Sequence, residues 1–274
     1  VDLNRSVSLL NPPFEAVNGA VLADPRLRLV CDDGRQFVKH AGESYDLITM
    51  EPPPPLQPGI SRLYSVEHYR QLRRRLSRRG VVSQWLPEDQ MDARGAGLIV
   101  ATFLDAFEHV ILFAGQNRDL LLAGSREPFD FAGLPARLGG EPRAAADLAA
   151  LGYPDASHLL ASIMRTEATL RLLWGGGDLI EDGFASLETL QISPVQQMGP
   201  LSPFRALKPG LSFDPADVTA ALRRAGAAEA DAVARLQSNL GADPDLARIV
   251  PPIYRPRPAD RSPRGVEAEA VGSR

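Results

Sequence analysis

The chain has a single cysteine, Cys31, among its 274 residues. One thiol excludes an internal disulfide framework and a cysteine-rich metal site. Cys31 closes an apolar run and reads as a small buried core residue. Lysine is almost missing too, standing only at Lys39 and Lys208, so positive charge is carried by arginine. The net charge is −4, which gives no global basic field of the kind that marks nucleic-acid binders. No apolar run approaches the ~20 residues of a membrane-spanning helix. The four histidines, His40, His68, His109 and His158, lack metal-ligand spacing, and no H-E-x-x-H occurs; they read as surface or packing residues. With 44% hydrophobic and 23% charged residues, the chain has the composition of a globular protein of one large or two small domains.

The stretch from Ser44 to Pro87 is the most informative. Its apolar run, Leu47 to Met50, ends on one carboxylate, Glu51, followed by four prolines, Pro52 to Pro55. A helix-period segment from Ser65 to Leu76 comes next, Gly80 is expected to stop it, and a second β-run covers Val81 to Gln84. Strand, acidic loop, helix and strand make one βαβ unit. In open parallel sheets ligands sit at the carboxyl ends of strands, and Glu51 occupies such an end.

Around that unit the pattern alternates. Asp2 or Asn4 can cap a short helix to about Leu10, and Asp24-Pro25 starts a turn into a β-run at Leu27 to Cys31. Asp32-Asp33-Gly34 leads into a helix through His40. Pro87-Glu88-Asp89 opens a long helix to about Phe107, its acids suiting the helix dipole. Val110 to Ala114 and Asp119 to Ala123 form a hairpin by length and composition. Residues 27–31, 46–50, 81–84, 110–114 and 119–123 are therefore predicted to share one sheet. The run Leu170 to Gly177, which looks like a glycine-rich nucleotide loop, fits better as the end of a helix stopped by Gly175. The segment from Ser157 to Trp174 is predicted helical, and Asp214-Pro215 is a helix start. From Pro251 the Pro-, Arg- and Ser-rich tail lacks apolar residues and reads as disordered.

The predicted organisation is thus residues 1–125 as an α/β domain, 126–250 as a helical appendix and 251–274 as a disordered tail. The fold class is a doubly wound sheet closing on a terminal antiparallel hairpin, a pattern similar to the S-adenosylmethionine-dependent methyltransferase fold (Rossmann-like). The chain begins at Val1 on what reads as the end of a strand. It is therefore expected to be an N-terminally truncated fragment, with a first strand and glycine-rich loop ahead of it.

Several motifs taken together resemble the spermidine synthase family, the polyamine aminopropyltransferases, and in particular their bacterial spermidine-synthase-like relatives. They are Val1-Asp2-Leu3-Asn4, Asp24-Pro25-Arg26, Asp32-Asp33-Gly34-Arg35, Tyr45-Asp46-Leu47-Ile48, Glu51-Pro52-Pro53, Leu63-Tyr64-Ser65, His68-Tyr69 and Gly80-Val81-Val82-Ser83-Gln84. The resemblance implies transfer of an aminopropyl group from decarboxylated S-adenosylmethionine to a small amine, with no metal. It assigns Asp2 to the ribose hydroxyls and Asp33, beside Gly34, to adenine, with Asp32 as the weaker partner. Glu51 stands at the position of the family's catalytic aspartate, as proton acceptor. Tyr64 and Gln84 would flank the pocket. It also allows a homodimer, a cytoplasmic location, and a membrane-linked parent such as some bacterial relatives have.

Each assignment has a plainer alternative: Asp2 as a helix cap, Asp33 as a solvated turn acid, Glu51 as a solvated residue in a stiff proline loop, Tyr64 as core. The family also carries a second aspartate where this chain has Pro54, and the loss of one charge-assisted hydrogen bond costs about 1.5–3 kcal/mol. Two other readings follow. A methyltransferase would use the same sheet with S-adenosylmethionine, although acid-Pro-Pro here lacks the aromatic that amino-group methylases need after the prolines. A non-catalytic nucleoside-binding or interaction domain would suit Pro54 and the tail.

Overall fold

The computed structural model describes residues 1–6, 12–53, 57–86, 93–115, 120–183 and 213–241. Asp33 starts the first full helix: its carboxylate accepts from the Gln36 amide at 2.9 Å and caps α1, Gly34–His40. Strand β1, Tyr45–Met50, follows, and Ser65 caps α2, Val66–Arg74, by accepting from the His68 amide. Glu67 in its first turn and Arg73 and Arg74 in its last complement the helix dipole. The chain reverses at Arg75 directly into β2, Leu76–Leu86. Then come α3, Ala93–Ala106, β3, His109–Ala114, and β4, Leu120–Ser125.

The sheet has the order β1-β2-β4-β3 and ends on a fifth strand, β5, Ile163–Thr166. β1 and β2 are parallel, as a helical crossover requires. β4 inserts between β2 and β3 and runs antiparallel to both. This is the mixed α/β sheet with a terminal antiparallel hairpin that the sequence predicts. β5 extends it, antiparallel to β3.

Alternating side chains build a core on each face. Val110 and Leu112 join Tyr69 and Leu72 of α2 with Phe103 of α3 and Phe107 just beyond its end. Ile111, pointing the other way, packs with Ile163 and with Val218, Leu222 and Val233. Those last three come from α8, Pro215–Arg224, and α9, Ala230–Gly241. Further helices are α4, Leu134–Gly140, α5, Pro142–Ala150, α6, Ala156–Leu160, and α7, Glu167–Trp174, with a short helical turn, Glu15–Asn18, ahead of α1.

Several expectations are corrected. The run Leu27–Cys31 is not a strand: it makes one isolated parallel bridge, Asp2 with Cys31. Among the described residues no ladder continues it, and Leu27 and Leu29 are exposed. Cys31 is likewise exposed rather than core, with its thiol 3.6 Å from the Leu3 carbonyl. Gly80 does not stop α2, which ends five residues earlier at its cap Arg75; it lies within β2. A Cβ there would sit 2.7 Å from the Tyr45 carbonyl oxygen, at a shift in the β1–β2 register, so close backbone approach explains the glycine. The predicted helix over 157–174 is broken by β5, where β-branched Ile163 and Thr166 flank a buried methionine. The helix from Asp2 or Asn4 to Leu10 and the tail from Pro251 lie largely or wholly outside the described residues.

Gly124 is where the inserted strand meets the aromatic core. It pairs with Val82 on one side and Val110 on the other. A Cβ on it would lie 2.6 Å from Phe103 Cε1 and 2.7 Å from Phe107 Cγ. Gly124→Ala is expected to destabilise by about 1–3 kcal/mol, the usual cost of overpacking. Gly139→Ala, where a Cβ meets nothing within 4 Å, should be neutral or slightly stabilising. Urea midpoints of the two variants check this.

Candidate functional site

The carboxyl end of β1 places Glu51. Met50 is level with Gln84 across the parallel pair, so Glu51 leaves the sheet one residue beyond Gln84 on the neighbouring strand. Glu51 is exposed, and Pro52 behind it is buried. Tyr64 is fully buried and its hydroxyl donates to the Pro53 carbonyl at 3.2 Å. Burial raises the Tyr64 pKa well above the usual phenol range, so it stays a donor and clamps the loop that follows Glu51. Gln84 is also fully buried, beside the Tyr69 hydroxyl. Neither of its amide atoms is hydrogen-bonded among the described residues.

A second group forms where the N-terminal residues meet Cys31. The Asp2 amide donates to the Val30 carbonyl at 3.0 Å, and the Asp32 amide donates to the Asp2 carbonyl at 3.1 Å. That pairing brings Asp2 beside Asp32, Asp33 and Gly34. Each acid uses one oxygen locally: Asp2 Oδ1 accepts from the Asn4 amide, Asp32 Oδ1 from the Asp33 amide, and Asp33 Oδ1 from the Gln36 amide. Only Asp33 caps a described helix, whereas Asp2 and Asp32 close local turns; the Oδ2 of each acid has no partner among the described residues. A Cβ on Gly34 would meet no atom within 4 Å, which leaves room in front of the α1 N-terminus.

Three residues join the two groups, and their joint role is not visible from sequence spacing. Arg35, largely buried, donates to the Arg62 carbonyl at 2.9 Å and pairs with Asp182. The Ser65 hydroxyl donates to the other Asp182 oxygen at 2.6 Å. Burial of Asp182 would raise its pKa, but the hydrogen bonds from Arg35 and Ser65 outweigh that and hold it below the ordinary carboxylate value. Arg35 and Ser65 lie within the quoted motifs; Asp182 is 117 residues beyond Ser65 and no local pattern marks it. The nearby Leu170–Gly177 run is no nucleotide loop. It forms most of α7 and its end, the Gly175 amide donating to the Arg171 carbonyl at 2.8 Å.

Among the described residues no group of three or more His, Cys, Asp or Glu side chains is placed to hold a metal ion. Among them, too, no helix is long and apolar enough to cross a membrane.

Residues 11–89 match the Spermine/spermidine synthase domain, so the stretch that carries Asp32, Asp33, Glu51, Tyr64 and Gln84 is similar to the family that the motifs resemble. Two curated relatives narrow this. Polyamine aminopropyltransferase 1 of Streptomyces coelicolor is 36% identical over 85 residues, covering 30% of this chain and 16% of that protein. Polyamine aminopropyltransferase of Korarchaeum cryptofilum is 33% identical over 75 residues, 27% of this chain and 23% of that protein. The chain thus spans under a quarter of the length of either. Among solved structures, a probable spermidine synthase from Corynebacterium glutamicum aligns at a TM-score of 0.41 and 20% identity, covering 62% of this chain and 58% of that one.

His68, on α2 behind this site, gives a pH test. It is 2% exposed and its Nδ1 has no partner among the described residues. Burial, and then the nearby Arg35 charge, push its pKa down to about 4. Below pH ~6.5 the unfolded chain takes up a proton at His68 that the folded chain refuses. The His68 contribution is therefore complete above that pH and is lost as pH falls towards about 4. The loss is on the order of 3 kcal/mol. Urea midpoints at pH 4.5 and 7 should show a stability gap between wild type and His68→Leu that closes or inverts at the lower pH. A gap independent of pH would contradict the assignment.

Proposed function

We propose that this chain contributes the acid and much of the nucleoside site of an aminopropyltransferase acting on a small amine. The observation that carries the reading is the placement of Glu51 at the carboxyl end of β1, level with the end of β2, on a loop clamped by the Tyr64 hydroxyl. The similarity of residues 11–89 to the Spermine/spermidine synthase domain supports it.

In this reading Asp2 and Asp33 accept hydrogen bonds from the ribose hydroxyls and the adenine amine of decarboxylated S-adenosylmethionine. Their unpartnered Oδ2 atoms and the open space at Gly34 fit that task. Glu51 orients the acceptor amine and takes one proton from it. The nitrogen lone pair forms a bond to the aminopropyl carbon next to sulfur. The carbon–sulfur bond breaks, its electrons stay on sulfur, and methylthioadenosine leaves. Tyr64 holds the Glu51 loop, and the Gln84 amide supplies a polar contact from the floor.

Pro54 favours a second reading. It stands where the family carries an aspartate, so a non-catalytic nucleoside-binding role is the alternative. Product analysis on the full-length protein separates the possibilities: methylthioadenosine for aminopropyl transfer, S-adenosylhomocysteine for methyl transfer, neither for a binding module. With Glu51 as the base, Glu51→Gln should lower turnover by about 10²–10⁴-fold, the usual contribution of general base catalysis. Nucleoside affinity should hardly change. Unchanged turnover would make Glu51 a bystander.

A further inference from the structure

The two halves of the candidate site meet at the Asp182 carboxylate and at the Arg62 carbonyl, which lies 2.9 Å from the Arg35 guanidinium and 3.0 Å from the Ser65 hydroxyl. Asp182 Oδ2 takes the Arg35 guanidinium, two residues after the α1 cap Asp33. Asp182 Oδ1 takes the Ser65 hydroxyl, the residue after Tyr64. Tyr64 in turn holds Pro53, two residues after Glu51. A continuous path therefore runs from Asp33 through Arg35, Asp182, Ser65, Tyr64 and Pro53 to Glu51.

The segment that delivers Asp182 is itself anchored. The Val66 amide donates to the Ile180 carbonyl at 2.8 Å, and the Ile180 amide donates to the buried Thr102 hydroxyl at 2.9 Å. The Asp182 amide donates to Glu67 Oε2 at 3.2 Å. Ile180 is fully buried. The strap is thus seated on α2 and α3, and only its carboxylate reaches across to α1. Asp182 lies far beyond residues 11–89, so the part of the chain that matches the family does not supply it.

We infer that Asp182 is a positioning residue that sets the register between the nucleoside half, Asp2 and Asp33, and the acid half, Glu51 and Tyr64. This rests on the transferase reading above. Arg35 keeps a second anchor on the Arg62 carbonyl, and Asp33 stays capped onto α1. Ser65 likewise keeps its cap on α2 and its 3.0 Å bond to the Arg62 carbonyl, so removing the Asp182 charge loosens the two halves from each other without unseating either. The nucleoside stays with α1, and the misplacement falls on the acceptor amine held from the Glu51 side.

The test uses the full-length protein, with decarboxylated S-adenosylmethionine and 1,4-diaminobutane as probes. Asp182→Asn should raise KM for the diamine about 5–10-fold while leaving KM for the nucleoside within about twofold, and Asp182→Glu should restore most of the loss. A merely structural role lowers the amount of active enzyme, hence kcat, and moves neither KM. That outcome, or equal shifts in both KM values, overturns the inference.

Hydrogen exchange on the same variants supplies a readout that needs no turnover. Asp182→Asn should speed exchange at Met50, Glu51 and the first turn of α2 together. Faster exchange confined to residues 178–183 also overturns the inference. If the wild type forms no methylthioadenosine yet this joint loosening occurs, the transferase reading fails and the mechanical coupling stands.

Discussion

The parallel pairing of β1 and β2 constrains everything at the candidate site. Two parallel strands cannot be joined by a tight turn, so the chain leaves β1 at Glu51 and returns through α2 on the sheet's face. That return brings Tyr64 and Ser65 back to the end from which Glu51 departed. The register with Met50 opposite Gln84 fixes which side chains of β2 face the helical core. A slip of one residue would turn Gln84 away and expose Val82 and Leu86, which are buried now. Gly80 permits this register, because it lets the Tyr45 carbonyl approach where any side chain would obstruct.

Burial then sorts the polar groups into roles. Tyr64 and His68 are both inside, and burial keeps both neutral, one as a donor and one without charge. Asp182 is the opposite case: two strong donors keep it ionised at a partly buried position. Glu51, Asp2, Asp32 and Asp33 stay exposed, as befits groups that would meet a charged and strongly hydrated ligand. Gln84 is the exception, a buried amide whose partners are not supplied by the described residues. The inside of the site thus holds neutral groups and one compensated ion pair, Arg35 with Asp182, and its rim is acidic.

Much of this was legible from sequence because the signals were local. The β1 run, the α1 cap at Asp33, the hairpin from β3 to β4 and the α8 start at Asp214-Pro215 all depend on neighbours within a few residues. The insertion of β4 between β2 and β3 was not legible, since pairing partners 34 to 44 residues apart leave no periodic trace. The failures have the same origin. Leu27–Cys31 has strand composition, but among the described residues it lacks a partner to complete a ladder. Ile163–Thr166 sits in a helix-rich region, and its fate was decided by the open edge of β3. Asp182 illustrates the limit for the site itself. Nothing local to Glu181-Asp182-Gly183 marks a site, and only the fold shows Asp182 reaching Arg35 and Ser65.

The Asp2–Cys31 bridge has a thermodynamic consequence. It rests on two backbone hydrogen bonds at an exposed edge, with Leu3, Leu27 and Leu29 largely in solvent. The acids it aligns therefore lie where local opening should cost much less than opening of the aromatic core. A nucleoside bridging Asp2 and Asp33 would spend part of its contact energy on closing that segment. Its measured affinity would then understate the strength of its contacts, and its binding would appear as local ordering as much as recognition.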